Sequence, residues 1–140
     1  MKYILTMAVF LLTFTVHAQS IVGKWKTIDD DTGKERSVVE IFKKGDRYYG
    51  KIVKLFRDVG EDPNPLCDKC EGDKNNQPII GMEIINGLKQ KGSDYKDGKI
   101  LDPENGKTYD CKIWVEDGKL RVRGYLYFLY RTQTWLPAGE

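Results

Sequence analysis

Along most of this chain apolar and polar residues alternate one for one, and turn dipeptides cut the alternation at short intervals. That pattern confines the fold more than any other feature, because a period of two puts every second side chain on one face of an extended strand. Tyr109, Cys111, Ile113 and Val115 alternate with Asp110, Lys112, Trp114 and Glu116. Asp117-Gly118 follows, a pair suited to a type I′ hairpin turn because both central positions need positive φ. Beyond it, Leu120 and Val122 alternate with Arg121 and Arg123. Residues 36–43 and 47–56 flank a second hairpin signal, Lys44-Gly45-Asp46. Segments 79–88, 99–102 and 131–135 complete the set, punctuated by Asn86-Gly87, Asp97-Gly98 and Asn105-Gly106.

No stretch reads as a long amphipathic helix. Residues 79–89 come nearest, but Gly81 and Gly87 each weaken a helix interior. About eight strands joined mostly by tight turns predict an all-β protein, an up-and-down antiparallel β-barrel. Closure removes the unpaired edges that an open sheet would expose.

The first eighteen residues stand outside this pattern. Lys2 is followed by an uncharged, mostly apolar run, residues 3–16, and Val16 and Ala18 occupy the minus-three and minus-one positions of a cleavage after Ala18. The run is shorter than the ~20 residues of a spanning helix. Residues 1–18 are therefore expected to be a secretory signal, and 19–140 a single domain that is secreted or periplasmic, monomeric and without a membrane span. Residue 19 is Gln rather than Cys, which argues against lipidation there. The only histidine, His17, falls inside the signal. A mature chain without imidazole excludes Ser–His and Cys–His hydrolases, most zinc enzymes and any histidine switch. Without Lys2, 22 basic residues face 21 acidic ones, a net charge of +1, so no electrostatic case for nucleic acid survives. The 122 remaining residues suffice for one hydrophobic core.

Gly23-Lys24-Trp25 near the start and Arg131-Thr132-Gln133-Thr134-Trp135 near the end resemble the lipocalin superfamily, which has Gly-x-Trp on its first strand and an Arg on or after its last. The resemblance implies that the Arg131 guanidinium lies over the Trp25 indole and closes the barrel base through a cation–π contact. A broader resemblance spans nearly the whole mature chain. Its blocks are Gly23 to Asp30; Asp62-Pro63 leading to Cys67-Asp68-Lys69-Cys70; Gln77 to Met82; Ile100 to Tyr109; and Val122-Arg123-Gly124 with Arg131 to Trp135. In order and wording they resemble the exported bacterial family labelled domain of unknown function 2147. That resemblance implies a small secreted or periplasmic calycin-like barrel with no settled activity. The Tyr-, Phe- and Leu-rich stretch 124–130 departs from the glycine-containing loop expected there.

Residues 56–78 form the longest stretch without strand patterning and hold Cys67 and Cys70. Four readings compete for this pair. An oxidising compartment favours a local disulfide that shapes the loop. Alternatively Cys111 pairs with Cys67 or Cys70, although its place on an apolar strand face suits a buried thiol. A redox-active pair would need a helix N-terminus or a basic neighbour. A structural zinc site would need a fourth ligand from Asp68 or Asp73.

No catalytic constellation is visible. Glu40 is the best-placed carboxylate, between Val39 and Ile41, but strand alternation turns it to solvent. The expectation is a non-enzymatic barrel, without cofactor or metal, that binds a small apolar or amphipathic molecule such as a lipid or fatty acid. Tyr49, Tyr109, Ile113, Arg123 and Tyr125 are its expected lining. Arg123-Gly124-Tyr125 is similar to the Arg-x-Tyr with which fatty-acid-binding proteins hold a carboxylate, a pairing suited to an oxyanion. If Leu120 and Val122 face inward, however, Arg123 faces out. The aromatic run 125–130 is either a flap at the mouth or a bent strand corner packed on the core. The rival expectation is a filled barrel that acts as an envelope interaction module through the Cys67–Cys70 loop. A cavity above about 300 Å³ separates the first from the second.

Overall fold

The computed structural model describes residues 11–14 and 19–139; Val16, His17 and Ala18 of the expected signal lie outside the described residues. Eight strands follow in chain order: β1 (Gly23–Ile28), β2 (Glu35–Lys44), β3 (Arg47–Leu55), β4 (Glu83–Lys91), β5 (Asp94–Asp102), β6 (Lys107–Glu116), β7 (Lys119–Leu126) and β8 (Leu129–Pro137). Each pairs antiparallel with the next, and β8 returns to β1, so the sheet is a closed barrel in up-and-down order. The only helical turn among the described residues is the 3₁₀ segment Gly72–Lys74.

The alternation predicted from sequence sets the inside and the outside. On β3, Tyr48, Gly50 and Ile52 are buried while Tyr49, Lys51 and Val53 are partly exposed. On β7, Leu120 and Val122 are buried and Arg121 and Arg123 are not. Glu40 faces out, with its carboxylate 3.9 Å from Lys51. Asp117 and Gly118 both have positive φ, as a type I′ turn requires, and connect Glu116 to Lys119.

Two other dipeptides do not form the turns expected of them. Asn86-Gly87 lies inside β4 and Asp97-Gly98 inside β5. Gly87 and Asp97 have φ of +73° and +63°, and the β5–β6 register slips between Tyr95 and Gly98. Positive φ serves a bulge as well as a turn. Here it kinks two long neighbouring strands; the reversal between them is Gly92-Ser93, with Lys91 opposite Asp94. Residues 79–82 are loop rather than strand, and β4 begins at Glu83.

One end of the barrel is packed solid. Ile21, Trp25, Ile41, Leu88, Tyr95, Ile113 and Leu120 are all buried there, and the Trp25 indole N–H donates to the Ile21 carbonyl at 2.8 Å. Tyr48 and Tyr95 meet edge to face, 4.8 Å between centroids. The β1–β2, β3–β4, β5–β6 and β7–β8 connections gather at the opposite end and surround a mouth.

Candidate functional site: a cavity at the barrel mouth

Strand alternation gives each inner face an apolar floor, and the mouth connections bring charge to its rim. The result is a cavity of about 730 Å³. Ile52, Ile84, Ile100, Val122 and Trp135 form its apolar surface, from β3, β4, β5, β7 and β8. Gly124 leaves room opposite Tyr109: a Cβ added at Gly124 would meet the Tyr109 Cβ at an ordinary 3.5 Å. Thr27 and Ser37 hydroxyls, 2.7 Å apart, satisfy each other in the wall.

A polar chain climbs the inner face of β8. The Trp135 indole N–H donates to Gln133 Oε1 at 3.1 Å, and Gln133 Nε2 donates to Asp30 Oδ2 at 3.3 Å. The same Asp30 oxygen is 2.7 Å from Arg131. A second arginine, Arg36 on β2, lies 3.8 Å from Asp29 and also pairs with Glu104. Two guanidinium groups thus tie three of the rim segments together. Asp29 caps its own loop: its Oδ1 accepts the backbone N–H groups of Asp31 and Thr32 and the Thr32 hydroxyl. The Thr32 backbone N–H above all, then its hydroxyl, holds the Asp29 carboxyl below the ordinary range. Asp102, half-buried in the rim, is shifted the other way. Burial raises its pKa, opposed by the positive charges of Arg131 and Arg36.

The expected site residues fare unequally. Tyr109 lines the cavity. Ile113 is fully buried in the packed end, away from the cavity. Tyr49 stacks on Phe42 on the outer surface, ring centroids 6.0 Å apart. Arg123 also faces out, held between the rings of Trp114 (4.9 Å) and Tyr130 (4.3 Å), with Nε donating to Thr132 Oγ1 at 2.7 Å. Tyr125 lies beside Tyr130 on that outer face. The Arg-x-Tyr pair is therefore no internal anchor. Leu120 and Val122 take the inside of β7, and alternation sends Arg123 and Tyr125 outward.

The expected stacking of Arg131 on Trp25 is not made either. In the β1–β8 seam Trp25 pairs with Pro137. Arg131 lies six residues back along β8, roughly 20 Å at strand rise. Its side chain is 66% exposed at the mouth, while Trp25 is buried at the packed end. Arg131 is a tie of the rim. Of the residues that sequence reasoning missed, Asp30, Arg36, Gln133 and Trp135, the two on β8 carry a readable signal. Trp135 is an apolar residue in a strand, and counting back by twos puts Gln133 and Arg131 on its face.

Cys67 and Cys70 form a disulfide, and both are buried. Their loop docks on the β5–β6 turn. Cys67 Sγ is 3.5 Å from the Pro103 carbonyl, and a Cβ at Gly106 would run into the Lys69 carbonyl. Cys111 is a separate buried free thiol, its pKa pushed up to about 12 by burial. The pairing of Cys111 with either loop cysteine is thereby excluded. Among the described residues no three His, Cys, Asp or Glu side chains cluster as metal ligands would, and no helix is long and apolar enough to cross a membrane.

The family described as "Uncharacterized protein conserved in bacteria (DUF2147)" matches residues 23–136. No curated protein matches the chain. A solved structure described as protein HP1028 from the human pathogen Helicobacter pylori, belonging to the lipocalin family, superimposes with a TM-score of 0.73. The two are 20% identical, over 86% of this chain and 84% of that one, a likeness of fold.

Proposed function

The chain belongs to the bacterial DUF2147 family, and from that premise we propose that it is an exported, non-enzymatic cup for one small amphipathic molecule. The observation that carries this reading is the mouth cavity of about 730 Å³, inside the ~300–1,000 Å³ range of small-molecule sites. Its apolar floor and charged rim suit a molecule whose tail enters first and whose polar head stays at the rim. A buried carboxylate is disfavoured, because among the described residues no unpaired cation is held deep in the cavity and Arg123 lies outside. A fatty-acid-like tail of modest length, its head meeting Arg36, Arg131 and the rim carboxylates, satisfies both surfaces. The family's fold and the loop disulfide are compatible with export to an oxidising compartment.

The rival module reading loses support on two counts. The barrel is not filled, and the Cys67–Cys70 loop packs its sulfurs inward against the β5–β6 turn.

Native mass spectrometry of the purified mature protein, before and after organic extraction, tests the proposal. A co-purifying lipid-sized mass that extraction removes is expected, as is quenching of Trp135 fluorescence on adding back the extract. Repeated absence of any such mass, together with no uptake of an apolar dye, overturns it.

A further inference from the structure

The β7–β8 hairpin breaks the rule that governs the rest of the barrel surface. Its tip, Leu126-Tyr127-Phe128-Leu129-Tyr130, is wholly apolar or aromatic and projects into solvent. Tyr127 is 92% and Phe128 87% exposed, and Leu126, Leu129 and Tyr130 are exposed beside them. Single exposed apolar residues are ordinary; five in a row at one protruding point are not. Tyr127 and Phe128 are the central pair of a two-residue turn closed by Leu126 opposite Leu129, and Tyr127 takes φ of +58°. Gly, Asn or Asp occupy such positions at less steric cost. Both the solvent exposure and the backbone conformation therefore work against these side chains in the free protein.

We infer that this tip inserts into the interfacial layer of a phospholipid membrane. The shape favours a bilayer over a protein partner. A convex tip of five side chains is small against the ~20–30 residues a side of a stable protein interface. The chemistry agrees: tyrosine and other aromatic rings concentrate at the level of lipid headgroups, with aliphatic neighbours below. Charge adds little: Glu71 shares the neighbouring cleft of about 400 Å³ with Lys74 and Lys107, Lys74 donates to the Glu83 carbonyl, and Arg123 is held by Tyr130 and Thr132, so insertion rests on the aromatic and aliphatic side chains of the tip. The tip shares its end of the barrel with the mouth, and insertion would hold the cavity opening against the lipid surface. The inference does not depend on the cavity being filled.

Co-sedimentation of the mature protein with phosphatidylglycerol-containing vesicles, against pure phosphatidylcholine vesicles, tests it. Partitioning onto both kinds of vesicle that persists in added salt is expected, since the tip itself carries no charge. The double variant Tyr127→Ser with Phe128→Ser should lower that partitioning about tenfold or more, with thermal unfolding unchanged because the tip touches no core. Phe128→Trp should retain binding, and its emission should shift to the blue and be quenched by brominated acyl chains. No partitioning to either vesicle, or equal partitioning by the double variant, overturns the inference. So does a tip-dependent self-association seen as a concentration-dependent mass without vesicle binding. Measuring ligand carriage on the same variants separates this outcome from that of the cavity: loss of vesicle binding with retained ligand concerns the tip alone.

Discussion

Single side chains in this protein owe their chemistry to which side of the barrel wall they occupy. Cys111 points inward on β6, and burial pushes its pKa up to about 12. It is thus a protonated thiol at any physiological pH and a poor nucleophile. A thiol reagent under non-reducing conditions should find no reactive group in the native protein and one per chain after denaturation. A second reactive thiol on denaturation would mean that the Cys67–Cys70 bond is absent. Asp102 offers a pH test with a defined sign. Its folded pKa is raised by burial, so the protonated carboxyl suits the fold and ionisation is penalised. Below the ordinary carboxylate value of 3.8 the folded and unfolded states are both protonated and no penalty exists. As pH rises through that value toward the folded one, wild type loses stability relative to a neutral isostere. Asp102→Asn retains an oxygen for the Glu104 backbone N–H, now accepted at 2.9 Å by Asp102 Oδ1. Its unfolding midpoint should match wild type in acid and exceed it near neutrality. An unchanged difference across pH would refute the assignment.

At the scale of strands and turns, period-two alternation makes the barrel legible in the sequence, because one buried face forces every second residue to be apolar. It makes β2 and β3 readable nearly to the residue and the middle of β6 and β7 readable, while the last three residues of β7 are lost in the aromatic run. It could not tell a kink from a reversal. Asn86-Gly87 and Asp97-Gly98 carry turn chemistry but sit side by side in β4 and β5, where long strands must coil. Gly98 shows why the residue is glycine: an added Cβ would lie 2.7 Å from the Asn86 carbonyl oxygen and 2.8 Å from the Leu88 nitrogen. Both are backbone atoms and cannot step aside as a side-chain end would. Gly98→Ala should therefore destabilise the protein by about 2 kcal/mol or more in urea unfolding. An alanine at Gly124, which meets only ordinary contacts, should be nearly neutral. The aromatic run was equally illegible. Composition placed it in a strand corner or flap, yet only the register of β7 against β8 reveals that Tyr127 and Phe128 are the turn itself.

For the whole molecule, the barrel is sealed unequally. β7 and β8 share seven register pairs, whereas β1 and β8 share only two, Trp25 with Pro137 and Lys26 with Leu136. Pro137 cannot donate a backbone hydrogen bond, and the Ala138 N–H to Lys24 carbonyl bond of 3.0 Å supplements the seam. Hydrogen exchange should show amides of this seam opening well before those of the β6–β7 and β7–β8 ladders. Uniform protection around the barrel would contradict that ranking. The sequence leaves open whether the interior is hollow or filled and places only Tyr109 of the expected lining correctly, because the walls depend on how far up the barrel each inward residue sits. Ile113 and Tyr109 share one face of one strand, yet one fills the packed end and the other meets the cavity. Gly124→Leu should put a side chain into that space and weaken uptake of any cavity ligand by about tenfold or more, without unfolding the barrel.

With Ile21, Trp25, Leu88 and Ile113 packed across its base, the barrel cannot be flushed through. A ligand of the kind proposed would depart by the door through which it came, so acquisition and delivery would be separate events at a single threshold. On the proposed function, the Arg36 and Arg131 ties across the rim stand at the one place a ligand would pass, and donor and recipient would meet the same face.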